Sequence, residues 1–164
     1  MVWPRGYAID QAVAVLQAAG VNGVVDLGGD VRASGLRSDG EPWRVQIRDP
    51  FRPEVLMEVA VSEHAVCTSG NYARFLEIDG HRFSHIIDPR SCWPADAVPS
   101  ATVIAPTAMQ ADIGATALSV LGEEGLTLLP EGCEALLVLG SADEARQVQT
   151  PGFARFQVTA PDGR

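Results

Sequence analysis

Apolar residues recur with helical spacing in two long segments of the chain. The first segment predicts an amphipathic helix over residues 6–20, which Gly20 would end. The second is an alanine-rich apolar run that predicts a helix from about residue 108 to 121, and Gly122 would stop it. A shorter helix is expected over residues 123–129.

Other segments alternate apolar and polar residues with a period of two, which is typical of half-buried strands separated by turns such as Asp39-Gly40 and Asp79-Gly80. The pattern predicts an α+β fold: one domain over residues 1–164, with a mostly antiparallel sheet covered on one face by two main helices. The predicted strands are 21–27, 31–34, 43–48, 55–61, 64–68, 74–78, 82–87, 101–105, 135–139 and, at a sheet edge, 153–158.

Composition and charge narrow the function classes. The chain has 164 residues, enough for one domain with a real core, and 46% of them are hydrophobic. All twelve basic residues are arginine, so phosphate recognition cannot use a P-loop lysine. The formal net charge of −9 repels a nucleic-acid backbone, and we expect no nucleic-acid binding.

Neither the cysteines nor the termini identify a compartment. The three cysteines lie far apart in the sequence and form no C-x-x-C pair, so they indicate neither a zinc site nor a redox motif. The apolar runs are too short for a membrane span, and no hydrophobic signal segment follows the N-terminus. As written, we expect the chain to be neither secreted nor membrane-embedded.

The densest chemical cluster is the run 84–90, Ser-His-Ile-Ile-Asp-Pro-Arg. His85 suits proton transfer near neutral pH, and Arg90 offers a planar fork of donors for phosphate oxygens. Alternatively, His85 is a packed strand residue and Asp88-Pro89 merely begins a turn.

A second candidate lies on the helix predicted over 108–121. Asp112 and Thr116 are four residues apart, so their side chains share one helix face. A carboxylate and a hydroxyl there could bind Mg²⁺, which takes few protein ligands beside its substrate's phosphates. Alternatively, the negative charge of Asp112 interacts favourably with the helix dipole, and the Thr116 hydroxyl donates a hydrogen bond to a backbone carbonyl of its own helix.

Two glycine-containing runs are ambiguous by themselves. Gly28-Gly29-Asp30 after an apolar strand permits close approach to a nucleotide or flavin ring, or forms a hairpin turn. The run 68–72, Thr-Ser-Gly-Asn-Tyr, could donate hydrogen bonds to phosphate or simply make a turn.

Five motifs, taken in order, give a more specific signal than any one of them. In that order they resemble the motifs of the FAD:protein FMN transferase (ApbE) family, and the resemblance runs from about Arg5 to Leu139. The motifs are Arg-Gly-Tyr-Ala-Ile-Asp (5–10), Gly-Gly-Asp (28–30), Thr-Ser-Gly-Asn-Tyr (68–72), His-Ile-Ile-Asp-Pro-Arg (85–90) and Ala-Asp-Ile-Gly-Ala-Thr-Ala (111–117).

The resemblance implies an enzyme that binds FAD with Mg²⁺, transfers FMN to a threonine of a target flavoprotein, and releases AMP. Such targets include subunits of sodium-translocating or related quinone reductases. By position in the motifs, the resemblance implies three metal ligands: Asp112, Thr116 and the main-chain carbonyl of Ala8. His85 matches the catalytic base, and Arg5 and Ile87 match FAD contacts. The remaining candidate FAD contacts are Gly28, Gly29, Asp30, Ser69, Gly70 and Arg90.

The chain departs from the family pattern in two residues and in length. Arg5 stands where the family usually has lysine, and Cys92 where it usually has glycine. Family members carry a comparable length of chain before this point, with a signal or lipid anchor in exported members. We therefore expect a C-terminal half that is a poor enzyme and unstable alone. FAD hydrolysis to FMN and AMP, or flavin binding without turnover, are alternative functions.

Overall fold

The computed structural model describes residues 5–70, 75–78 and 81–158. Two α-helices are present among them, and neither is long and apolar enough to cross a membrane. In chain order the elements are α1 (Arg5–Ala18), β1 (Gly23–Leu27), β2 (Asp30–Ser34), β3 (Trp43–Arg48), β4 (Val55–Val61), β5 (Ala65–Gly70), β6 (Phe75–Ile78), β7 (His81–Ser84), β8 (Ile87–Asp88), β9 (Trp93–Pro94), β10 (Ser100–Ala105), α2 (Ala108–Leu121), a 3₁₀ helix (Gly122–Leu128), β11 (Glu134–Leu139), β12 (Arg146–Gln149) and a second 3₁₀ helix (Phe153–Phe156).

Six strands form the central sheet in the order β1-β2-β5-β10-β11-β12, and every pairing in it is antiparallel. Strand β10 lies between β5 and β11 and is buried along its whole length, because helices cover one face and a ribbon the other. Its small and β-branched residues suit this position. The predicted α+β class with a mostly antiparallel sheet is confirmed.

Helices α1 and α2 pack together on one face of the sheet. Ile9 and Val13 of α1 and Leu118 of α2 are buried there against Val103 and Leu137 of the sheet. On the opposite face, the β3–β4 ribbon buries a second cluster that includes Ile47 and Val59. The sheet is therefore the middle of three layers, with α1 and α2 side by side on one face: α1 lies against β1 and β2, and α2 against β5 and β10.

Two predicted strands differ from the structure. The prediction of an edge strand over 153–158 is wrong: Phe153 and Phe156 lie three apart on a 3₁₀ helix, which puts both rings on its buried side. The edge strand is instead the polar segment β12. The strand predicted over 82–87 is interrupted at residues 85–86 between β7 and β8, and Asp79-Gly80 lies outside the described residues.

Candidate functional site

Helices α1 and α2 meet at their N-terminal ends, where the first and fifth motifs come together. The Gly6 amide donates to Asp112 Oδ2 at 3.0 Å, although 106 residues separate the two in sequence. A Cβ atom at Gly6 would lie only 2.3 Å from the Ala108 carbonyl oxygen. Glycine is therefore required for the two backbones to approach this closely.

Asp112 and Thr116 lie on the same face of α2, as their spacing predicts. Thr116 Oγ1 is 3.3 Å from Ser69 Oγ, which brings the third motif to this helix as well. The adjacent Gly70 is buried at the end of β5, and residues 71–74 lie outside the description. Carboxylate and hydroxyl oxygens thus gather at one point beside the start of α1.

Next to this point, Arg5 and Asp30 form an ion pair. Arg5 Nη2 lies 2.9 Å from Asp30 Oδ2. Among the described residues, no donor makes a well-aligned hydrogen bond to that oxygen, so the contact is electrostatic. Asp30 Oδ1 accepts from the Thr68 amide at 3.3 Å. Burial raises the pKa of Asp30, the Arg5 guanidinium opposes that rise, and the charge of Asp112 adds to it. The two carboxylates and one guanidinium therefore leave a net negative charge here.

Gly28 and Gly29 form the hairpin turn between β1 and β2. Both have positive φ, 68° and 93°, and the Gly29 amide donates to Asp26 Oδ1 at 2.9 Å. The turn conformation accounts for two successive glycines. The Gly28 carbonyl also lies 3.5 Å from Arg5 Nη1, so the turn borders the Arg5–Asp30 pair.

An apolar groove of about 590 Å³ runs along α2 from the carboxylate of Asp112. Its opposite wall is the β8 region, where Ile87 remains half exposed. From Asp112 to Leu121 the groove follows α2 for about 13 Å, at 1.5 Å per residue. The lining residues are Ile86, Ile87, Pro89, Asp112, Ile113, Thr116, Ala117, Val120 and Leu121.

Arg90 lies at the far end of this groove. Its guanidinium makes a two-pronged pair with Asp88, at 3.0 and 2.8 Å, and reaches the Val120 carbonyl at 3.4 Å. These hydrogen bonds hold the pKa of Asp88 below its ordinary value. Val120 is eight residues beyond Asp112, about 12 Å along the helix. In this arrangement Arg90 ties the β8–β9 loop to α2, away from the carboxylate end, and its predicted contact with FAD stays a prediction.

His85 is exposed in the bend between β7 and β8, one residue before Ile86 of the groove wall. It is not itself among the groove-lining residues, and its role as a base stays a prediction. Cys92, in the following loop, has φ of 58°, a conformation that favours glycine. This explains why glycine suits the position that Cys92 occupies here.

The donor set fits Mg²⁺ better than a transition metal. Within the described ranges, no three His, Cys, Asp or Glu side chains are grouped to hold a metal. Asp112 and Thr116 supply hard oxygen atoms, and Ala8 is two residues beyond Gly6, whose amide occupies only one oxygen of Asp112. Such a sparse oxygen set suits an ion that keeps substrate phosphates and water in its shell. The ligand roles of Ala8, Asp112 and Thr116 stay predictions.

Sequence reasoning assigned no role to Asp10, which the structure places between the two helices. Its carboxylate accepts from the Ala108 amide at 2.8 Å and the Met109 amide at 3.0 Å. Asp10 does belong to the first motif, and this membership was the signal that could have indicated a role for it. Its partners, almost a hundred residues away, could not be read from local spacing.

Comparison with known proteins places these motifs in one family. The ApbE family model matches residues 4–137. An FAD:protein FMN transferase of Escherichia coli K12 is 35% identical over 161 residues, which cover 94% of this chain and 46% of that protein. One from Rhodobacter capsulatus is 40% identical over 163 residues, which cover 98% and 31%.

A solved structure shows the same fold. The crystal structure of the ApbE protein from Thermotoga maritima is 33% identical and superposes with a TM-score of 0.86, over 94% of this chain and 52% of that one. The chain thus spans about half the length of this structure and of the Escherichia coli relative, and about a third of the Rhodobacter capsulatus one. On the family match and these identities, the chain belongs to the ApbE family.

Proposed function

We propose that this chain provides the metal- and flavin-binding part of an FAD:protein FMN transferase. The reaction is Mg²⁺-dependent transfer of FMN from FAD to a threonine of a target flavoprotein, with release of AMP. The observation that carries the proposal is the 3.0 Å contact between Gly6 and Asp112, because it joins two separate family motifs at the mouth of an apolar groove. The names of the relatives support the same activity.

The proposed ion would be held by Asp112, Thr116 and the Ala8 carbonyl. When bound, Mg²⁺ neutralises charge on the pyrophosphate of FAD, which is the main need of phosphoryl transfer. The net negative charge of Asp30, Asp112 and Arg5 favours a cation at this place. Arg5, whose guanidinium pairs with Asp30, offers a cation for a phosphate oxygen.

The groove suits one planar ring system of FAD. Its volume of about 590 Å³ is within the range of small-molecule sites, roughly 300–1,000 Å³. Ile87 and Ile113 provide apolar walls on opposite sides, and both are more than half exposed without a ligand. A ring bound there would cover them while its phosphates extend toward Asp112.

In the transfer step, the threonine hydroxyl oxygen forms a bond to the phosphorus of the FMN half. The bond from that phosphorus to the bridging oxygen breaks, and AMP leaves with the bridging oxygen. The hydroxyl proton passes to a base, for which His85 is the candidate because it is exposed beside the groove wall. A well-placed base is worth about 10²–10⁴-fold in rate.

The test incubates the 164-residue chain with FAD, Mg²⁺ and a target flavoprotein, and measures flavin fluorescence on the denatured target and AMP in solution. We expect a low yield, in keeping with the poor activity expected of this chain alone, with equal amounts of both products and loss of both with EDTA or in Asp112→Asn. The matched control is Asp49→Asn, which removes a carboxylate from the β3–β4 loop on the other side of the sheet. His85→Ala should lower kcat about 10²–10⁴-fold with little change in FAD affinity.

Three results would contradict the proposal. Unchanged transfer in Asp112→Asn would show that Asp112 is not a metal ligand. Lost FAD affinity with a normal rate at saturation in His85→Ala would show that His85 is not the base. Free FMN and AMP without a labelled target would show that water is the acceptor.

A further inference from the structure

Asp10 connects the two helices that carry the proposed metal ligands. Its Oδ1 accepts from the Ala108 amide at 2.8 Å and from Arg32 Nη1 at 2.5 Å, and its Oδ2 accepts from the Met109 amide at 3.0 Å. Ala108 and Met109 are the first two residues of α2, whose amides have no acceptor within their own helix. One side chain of α1 therefore caps the start of α2.

The converse contact is made by Asp112 of α2, which accepts from the Gly6 amide in the first turn of α1. Neither helix has an acidic residue in its own first turn. Each receives its carboxylate from the other helix instead, at the end where the helix dipole favours negative charge. This reciprocal capping fixes the two N-termini relative to each other at two points.

The two carboxylates are not equivalent as metal ligands. Asp10 accepts from two amides and an arginine, which occupy both oxygens and offset its charge, and its side chain is only 15% exposed. Asp112 accepts one hydrogen bond among the described residues, on Oδ2, and lines the groove. Asp112 can therefore bind an ion, whereas Asp10 is committed to the protein.

We infer that Asp10 is a positioning residue that sets the separation between the Ala8 carbonyl on α1 and the Asp112–Thr116 pair on α2. The inference rests on the function proposed above. Ala8 lies two residues before Asp10, and Asp112 lies four residues after Ala108, so the Asp10 bridge is about half a helical turn from Ala8 and about one turn from Asp112. Arg32 extends the bridge to strand β2, and thereby to the sheet on which both helices pack.

Replacing Asp10 by asparagine keeps the size of the side chain but turns one acceptor into a donor. The new NH₂ group would face the Met109 or Ala108 amide, and Arg32 would lose its charged partner. The matched control is Thr107→Ala, because the Thr107 hydroxyl caps the Gln110 amide of the same helix end without touching α1. Both variants weaken the start of α2, but only one breaks the link between helices.

Two measurements on the 164-residue chain test the inference: Mg²⁺ affinity by calorimetry, and exchange of the Gly6 amide hydrogen by NMR. We expect Asp10→Asn to weaken Mg²⁺ binding about 10–100-fold, as loss of a group that orients metal ligands typically does. Gly6 exchange should accelerate, because its bond to Asp112 depends on the position of α1. Thr107→Ala should change neither the Mg²⁺ affinity nor the Gly6 exchange rate by more than about twofold, because it leaves the link between the helices intact.

Unchanged Mg²⁺ affinity and unchanged Gly6 exchange in folded Asp10→Asn would overturn the inference, as would an equal loss of Mg²⁺ affinity in Thr107→Ala. A wild-type chain that binds no Mg²⁺ would overturn the proposed function instead. In that case faster Gly6 exchange in Asp10→Asn alone would still support the bridge between the helices, and unchanged exchange would refute it.

Discussion

Gly6→Ala is the substitution that most directly tests the contact between α1 and α2. On helix propensity alone, alanine should stabilise α1 by about 1 kcal/mol over glycine. The structure predicts the opposite sign. The added Cβ would lie 2.3 Å from the Ala108 carbonyl oxygen and 2.6 Å from the Met109 Cα, and both are backbone atoms that cannot rotate away.

The size of the effect follows from the displacement required. An ordinary contact begins at 3.4 Å, so the helix ends must separate by about 1 Å. Overpacking of this kind costs about 1–3 kcal/mol. Separation also breaks the hydrogen bond from the Gly6 amide to the Asp112 carboxylate, worth about 1.5–3 kcal/mol for a charged acceptor. After the gain in propensity, we expect a net loss of about 1.5–5 kcal/mol.

The assay is urea unfolding at 25 °C, followed by circular dichroism, with the free energy of unfolding extrapolated to water. Gly114→Ala in α2 is the matched control, because its Cβ would meet Leu129 and Val103 side-chain atoms at 3.4 Å, an ordinary contact. That variant should be neutral or more stable by up to about 1 kcal/mol. Gly6→Ala as stable as the wild type, or equal losses in both variants, would refute the reasoning.

Three further predictions concern other described residues. Cys92→Gly should raise the free energy of unfolding by about 0.5–1 kcal/mol, because φ of 58° strains any residue with a Cβ; a loss in urea unfolding would contradict this. Burial raises the pKa of Asp30 above its ordinary value of 3.8, so the folded state binds its proton more tightly than the unfolded state. Without Mg²⁺, wild-type stability relative to Asp30→Asn should therefore fall as pH rises from about 3 to 7, and a rise would contradict the assignment. Of the three thiols, Cys92 alone should react with a thiol reagent in the native state, because Cys67 and Cys133 are buried and burial raises the pKa of both; fast labelling of all three would refute this.

Local patterns predicted the elements that carry the site. The helical period of residues 108–121 and the spacing of Asp112 and Thr116 placed both side chains on one face of α2, and the structure shows both lining the groove. The same kind of pattern failed at residues 153–158. The two buried phenylalanines are three residues apart, a spacing that a 3₁₀ helix places on one side and a strand would place on opposite faces.

Motif order supplied what periodicity could not, yet it left some chemistry ambiguous. The structure shows that the Gly28-Gly29 run forms a turn, with both residues at positive φ, and its contact with FAD stays a prediction. Arg90 stays a predicted FAD contact, and in the structure it pairs with Asp88 and contacts the end of α2 about 12 Å from Asp112 along the helix. A side chain's type gives its possible partners, whereas its neighbours decide which of them it meets.

By itself, the sequence determined the fold class, the two covering helices, the family and the pairing of Asp112 with Thr116, because each depends on spacing along a short stretch or on the order of motifs. Only the tertiary structure decided that Gly6 contacts Asp112 and that Asp10 caps the helix starting at Ala108. Those contacts join residues about a hundred positions apart. They exist because the sheet holds α1 and α2 side by side, where the unpaired amides at each helix start find their acceptors on the other helix.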